Sequence, residues 1–228
     1  RSSDLNPGQS FTYTLKIPAD EPPGRGGHHP HVHGLSEAAL LGGASGAIEV
    51  EGIADLQPAV AGLAARYLVL RDQLVANPPS KSPGAPPLPA WDVSLNYVPV
   101  SYPTYRPAII RMAYGSKEFW RVVNASADTI LDLQLLYDGK PQPLRIVALD
   151  AIALGSQDGT RKGVIQTQTH VLMSPAARAE FIVTAPRRDI QNAMLVTRAV
   201  KTGPAGDSDP ARPRARIRAV FCFGAQPQ

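Results

Sequence analysis

From residue 11 to residue 17 apolar and polar side chains alternate, with Phe11, Tyr13, Leu15 and Ile17 on one parity and Pro18 closing the run. A period of two is that of a strand with one buried face, so a first strand is predicted there. The alternation returns at 47–51, and 52–62 reads as a connector. Tyr67-Leu68-Val69-Leu70 then opens a longer series of strand candidates at 108–112, 119–124, 130–136, 144–149, 170–173, 179–183, 194–197 and 216–223. Six prolines between 77 and 89 remove backbone donors and fix φ, which predicts a surface loop. In the last candidate Ile217, Ala219, Phe221 and Phe223 alternate with Arg214, Arg216 and Arg218, so the arginines read as a solvated strand face.

Composition agrees with many short elements joined by turns. The 228 residues include 23 Pro and 19 Gly, and the 43% apolar and 18% charged content is that of an ordinary globular protein of one or two domains. The strand spacing predicts an all-β Greek-key sandwich. A net charge of +4 is spread along the chain without Lys/Arg blocks, so no nucleic-acid partner is expected. No apolar run reaches the roughly 18 to 20 residues of a membrane helix, and no membrane partner is expected either. The first ten residues lack the apolar stretch of an export signal; because the chain opens abruptly on Arg1, an upstream portion is a reading to keep open. The single cysteine, Cys222, excludes an internal disulfide and reads as a small buried hydrophobe.

Four of the five histidines fall within six residues: His28, His29, His31 and His33, with Gly34 following. Imidazole suits copper, zinc, iron and nickel, and His-x-His on an extended backbone turns both rings to one side. His29, His31 and His33 share that parity. Like-facing strand positions lie about 6.5 to 7 Å apart, too wide for ideal chelation of one small ion and suited to two adjacent ions. The alternative is a set of surface histidines in a turn-rich loop. His170, ahead of Val-Leu-Met, reads as a core or edge histidine rather than a ligand.

His29-Pro30-His31-Val32-His33-Gly34, followed by Gly42-Gly43-Ala44-Ser45-Gly46-Ala47-Ile48-Glu49-Val50-Glu51-Gly52, resembles the second copper motif of the laccase-like multicopper oxidases. Val93-Ser94-Leu95-Asn96, Trp120 to Ser126 and Pro175 to Val183 are similar to that family's middle cupredoxin domain, in the same order. The resemblance implies a partial cupredoxin-like domain over 1–53, a linker at 54–65, a nearly complete cupredoxin-like domain over 66–203, and a terminal segment at 204–228 with a final strand. It implies that His29 and His31 bind a type 3 copper pair, one on each ion, with His33 and His28 as further candidates. His28, Gly26 and Gly27 replace the aromatics of the family motif, and Ala39 stands where relatives often carry glutamine.

The family's first His-x-His-Gly motif and its final His-Cys-His centre have no counterpart here. The resemblance therefore implies part of an oxidase that would couple oxidation of phenols, amines or metal ions to reduction of dioxygen. The competing reading is a copper-binding cupredoxin-like module without turnover, and a third is a structural remnant that binds no metal. A domain short of strands exposes an edge and an apolar face, which predicts a homo-oligomer or a partner supplying the missing cupredoxin domain. Family resemblance suggests a periplasmic or secreted setting.

Overall fold

The computed structural model describes residues 8–12, 14–74, 91–98, 107–156, 162–203, 208–209 and 211–220. In chain order the elements are β1 (Gly24–His28), α1 (Ser36–Leu41), β2 (Gly46–Val50), α2 (Ile53–Leu56), a 3-10 turn (Pro58–Val60), β3 (Ala64–Leu74), β4 (Trp91–Leu95), β5 (Ala108–Ala113) and β6 (Lys117–Asn124). They continue as β7 (Leu131–Tyr137), β8 (Lys140–Pro141), β9 (Leu144–Leu149), β10 (Ile152–Ala153), β11 (Gln166–Gln168) and β12 (Val171–Met173). The last are β13 (Arg178–Thr184), β14 (Ala193–Thr197), β15 (Val200–Lys201), β16 (Ser208–Asp209) and β17 (Arg212–Val220).

Two sheets face one another, as the strand spacing predicts. One runs β10-β9-β13-β6-β3-β4 with β11 added beside β9, and the other runs β12-β7-β14-β17-β5 with β8 beside β7. Most neighbours are antiparallel, but β3 pairs with β6 and β5 with β17 in parallel, the mark of strands that return by long connections. The core between the sheets is apolar. Leu68, Leu70, Trp120, Val122, Phe181 and Val183 from the first sheet meet Leu131, Leu133, Leu135, Leu195, Ala215 and Ile217 from the second. A smaller cluster lies on the outer face of the first sheet, where Ile53 of α2 and Val60 of the 3-10 turn cover Phe119, Val147 and Ile182. The connector predicted at 52–62 therefore carries two short helical turns that cap this face.

Two expectations need correction, and one element was not anticipated. Residues 11, 12 and 14–17 form no strand, and Leu15 is 83% exposed with Phe11 and Ile17 also open to solvent. Alternation supplies an apolar face, but a strand also needs a neighbour to satisfy its backbone, and none pairs here among the described residues. The stretch at 36–41, which carries no strand or helix signal read above, is a six-residue helix. The second correction is Arg214, which is not part of a solvated face: it is 2% exposed and its Nη1 donates to the Val93 carbonyl at 3.4 Å. Opposite β14 the register passes from Ala215 to Pro213, so Arg214 is the extra residue of a bulge, which breaks the alternation and turns it inward. Arg216 and Arg218 do face solvent. The proline-rich loop at 77–89 and Phe221, Cys222 and Phe223 lie outside the described residues.

Candidate metal centre

β1 and β2 form a two-stranded antiparallel ribbon in which Gly24 faces Val50 and His28 faces Gly46. The ribbon lies against the outer face of the first sheet through charged and glycine contacts. Gly24 packs so closely that a Cβ built on it would meet the Ala151 carbonyl oxygen at 2.3 Å. At the other end the His28 ring covers Gly46, whose Cβ would sit 2.6 Å from His28 Cε1. At Gly24 the neighbour is backbone and glycine is required for steric reasons alone, whereas at Gly46 the exposed His28 ring could turn aside.

Between these ends runs an ionic network with few routes to water. Glu180 of β13 accepts from the backbone N–H of Arg25 at 3.0 Å and from Nε of Arg121. Arg121 also pairs with Glu49 of β2, and Arg25 and Arg121 place their guanidinium groups 5.1 and 5.9 Å from the Tyr67 ring. Arg178 Nε donates to the Arg25 carbonyl at 3.1 Å. Toward the far end of β2, Arg71 donates to the Ser45 carbonyl, and Ser45 Oγ donates to Ala125 O at 3.1 Å. Burial, and after it the neighbouring Arg121, lowers the pKa of Arg25 from its ordinary value. Breaking the buried Arg121–Glu180 pair from one side strands the other charge and typically costs about 3 to 5 kcal/mol; Glu180 reaches the ribbon through the Arg25 N–H, and Arg121 through Glu49.

The histidine segment leaves this footing for solvent. β1 ends at His28, because β2 begins only at Gly46 opposite it and Pro30 cannot donate to a ladder. His29, His31 and His33 are exposed, and they remain neighbours: the His29 and His31 rings have centroids 5.5 Å apart and those of His31 and His33 6.4 Å apart. Nδ1 of His29 lies 3.1 Å from the Pro30 carbonyl. A carbonyl only accepts, so this contact selects the Nδ1–H tautomer and leaves the Nε2 lone pair of His29 free for a metal. His28 and His29 together line a cavity of about 90 Å³ with Ser45, Asn124, Ser126 and Arg178. Among the described residues no three His, Cys, Asp or Glu side chains converge as a complete metal site. His170 is remote from this segment in role: its Nδ1 lies 2.7 Å from Asp132 Oδ1 at the start of β12, the edge position expected for it.

The searches against family models and curated sequences return no match. Solved structures do match. A variant of the McoA multicopper oxidase of the hyperthermophile Aquifex aeolicus aligns over 91% of this chain with a TM-score of 0.64 and 19% identity. The fold is that of the multicopper oxidases. The laccase-like multicopper oxidase CueO of Ochrobactrum sp. aligns over 90% at TM-score 0.59 and 17% identity, and the blue copper oxidase of Nitrosomonas europaea over 93% at 0.57 and 19%. This chain spans 45%, 42% and 61% of those three chains respectively, so it has the multicopper-oxidase fold over part of their length.

The residues that anchor the ribbon were not singled out from the sequence. Glu180 offers the one available signal, a carboxylate in the middle of the apolar run Ala179-Glu180-Phe181-Ile182-Val183, where an unpaired charge would be prohibitive. Its partners Arg25 and Arg121, and Glu49 on the far side of Arg121, are distant from it in sequence, Arg25 by 155 positions, and gave no local sign.

Proposed function

We propose that this chain is part of a laccase-like multicopper oxidase and contributes type 3 copper ligands, with His29 and His31 each offering an imidazole to one ion of a pair. The observation that carries this reading is the pair of exposed, adjacent rings, 5.5 Å apart, on a loop rooted in a sandwich with the multicopper-oxidase fold. Neutral imidazole is a suitable donor for copper, and the tautomer selected at His29 leaves a lone pair outward. His33, its ring 6.4 Å from that of His31, and His28 are the further candidate donors in this reading. These donors fit copper as a contribution to a shared site; the remaining ligands would come from elsewhere. Copper so held would supply the one-electron chemistry that couples oxidation of phenols, amines or metal ions to reduction of dioxygen. The protein's own part is to fix the rings: Gly46 seats His28, the Pro30 carbonyl orients His29, and the network around Glu180 holds the strand from which the loop springs.

In this reading residues 1–53 are the end of a first cupredoxin-like domain and 66–203 the middle one, with 54–65 joining them. A further cupredoxin-like domain or a second copy would complete the site. A second reading, a copper-binding module without turnover, is favoured by one observation, the absence of a converged ligand set among the described residues.

The test is copper content by mass spectrometry in the parent chain, in His29→Ala/His31→Ala and in His170→Ala, with phenol oxidation followed in parallel. We expect copper in the parent and in His170→Ala, its loss in the double variant, and no sustained oxidation by the chain alone. Equal copper in all three would place binding elsewhere and sink the ligand assignment. Sustained oxidation by the parent that disappears in the double variant would instead remove the module reading.

A further inference from the structure

Charge is unevenly distributed along the chain, and each outer face of the sandwich exposes a cluster of like charge. Residues 1–63 hold three basic and seven acidic side chains, a net of −4, whereas residues 64–228 hold twenty basic and twelve acidic, a net of +8. The ribbon and α2 lie over the outer face of the sheet that contains β3, β6 and β13, as the contacts of Arg121, Glu180 and Phe119 show. On the outer face of the other sheet Arg111 of β5 and Arg216 and Arg218 of β17 are exposed, since the residues that alternate with them, Ile110, Met112, Ala215 and Ile217, fill the core.

The arginine face is electrostatically unfavourable as it stands. Arg218 is the direct cross-strand partner of Arg111, and Arg216 follows two residues before Arg218 on the same side. Like charges facing one another across strands are destabilising, and no carboxylate pairs with any of the three among the described residues. Exposed Ile109 lies beside Arg216 in the same register. The edge of β5 is partly occupied, because the Arg111 carbonyl accepts from Arg66 Nη2 and the Ala113 carbonyl from Ser116 Oγ, which disfavours strand addition there and leaves the arginine face as the available surface.

The matching surface is on the opposite side of the same molecule. Glu21, Glu51 and Asp55 are exposed and form no ion pair among the described residues. Glu51 and Asp55 flank Gly52, whose φ of 103° turns the chain from β2 into α2 and whose missing side chain would lie 3.5 Å from Pro23 and 3.6 Å from Asp55 Oδ2. Lying on opposite faces, the two patches cannot neutralise one another within one chain. We infer that the arginine face formed by Arg111, Arg216 and Arg218 docks the acidic patch of a second copy of this chain, a head-to-tail contact driven by charge. Such a contact is heterologous and can repeat from molecule to molecule. It is independent of the copper reading.

Sedimentation velocity on the full chain, without added metal, tests this. At about 0.01 M salt the screening length is about 30 Å and association is expected; at about 1 M it is about 3 Å and the chain should sediment as a monomer. Arg216→Glu/Arg218→Glu and Glu51→Lys/Asp55→Lys should each weaken low-salt association by roughly tenfold or more, with circular dichroism showing that both still fold. An equimolar mixture of the two variants should associate again, since each then presents the complement of the other. A monomer at low salt, association indifferent to either pair of substitutions, or a mixture that fails to recover would each overturn the proposal. Association that persists at high salt in both variants would assign the contact to the exposed apolar segment around Leu15 instead.

Discussion

Tyr137 shows how one buried polar group ties stability to pH. Its hydroxyl donates to the Thr184 carbonyl at 2.6 Å, linking β7 of one sheet to the end of β13 in the other. Burial, and after it the Glu118 carboxylate, raises its pKa far above the ordinary phenol value of about 10. A raised folded-state value means that the neutral form is the one the fold favours. This contribution is fully present below about pH 10 and is lost as the unfolded chain ionises above it, at up to about 1.4 kcal/mol per pH unit. Tyr137→Phe is expected to cost about 1 kcal/mol at pH 8 and to flatten the alkaline loss, so that urea midpoints of parent and variant converge between pH 10 and 11. Midpoints that fall in parallel would contradict this account. Position alone does not announce such a residue: Tyr137 reads as one more β-forming aromatic, and only the packing reveals its partner. The histidines are the reverse case, legible at once because no structural demand explains four imidazoles in six residues, although the ring spacing they adopt depends on a loop the alternation took for extended strand.

Among the elements, the strands of the sandwich were legible because each has to bury one face or both. Lys117–Asn124, Arg178–Thr184 and Leu144–Leu149 stand within a residue or two of the predicted limits. What stayed hidden were elements defined by their neighbours. The six-residue helix at Ser36–Leu41 buries none of its residues, the bulge at Arg214 inverts a face that alternation assigned to solvent, and residues around Leu15 keep the pattern of a strand without becoming one. The ribbon of β1 and β2 belongs to the same class, since its place is set by Gly24 meeting backbone rather than by hydrophobicity. Gly24→Ala drives a methyl group into the Ala151 carbonyl, which cannot move aside as a side chain could. A cost of about 1 to 3 kcal/mol is expected, concentrated locally. Amide exchange should quicken at 24–28 and 46–50 while β6 and β13 keep their protection; uniform protection throughout would show that the close approach is relaxed in solution.

For the molecule as a whole, the apolar core and the candidate metal centre are separate. The inter-sheet core contains no histidine, and His29, His31 and His33 stand outside it. The sandwich is therefore expected to fold without metal, unlike small domains whose binding energy is their folding energy. Calorimetry with a chelator should leave the main transition within a few degrees of that of the copper-treated chain; collapse of that transition on chelation would mean that copper holds the core together. The separation has an evolutionary consequence. A loop that contributes nothing to the core can accept insertion, deletion or exchange of its imidazoles without passing through unfolded intermediates, provided Gly24, Gly46 and Glu180 keep its base in place. The same scaffold could gain, lose or re-specify a metal by drift in a handful of codons.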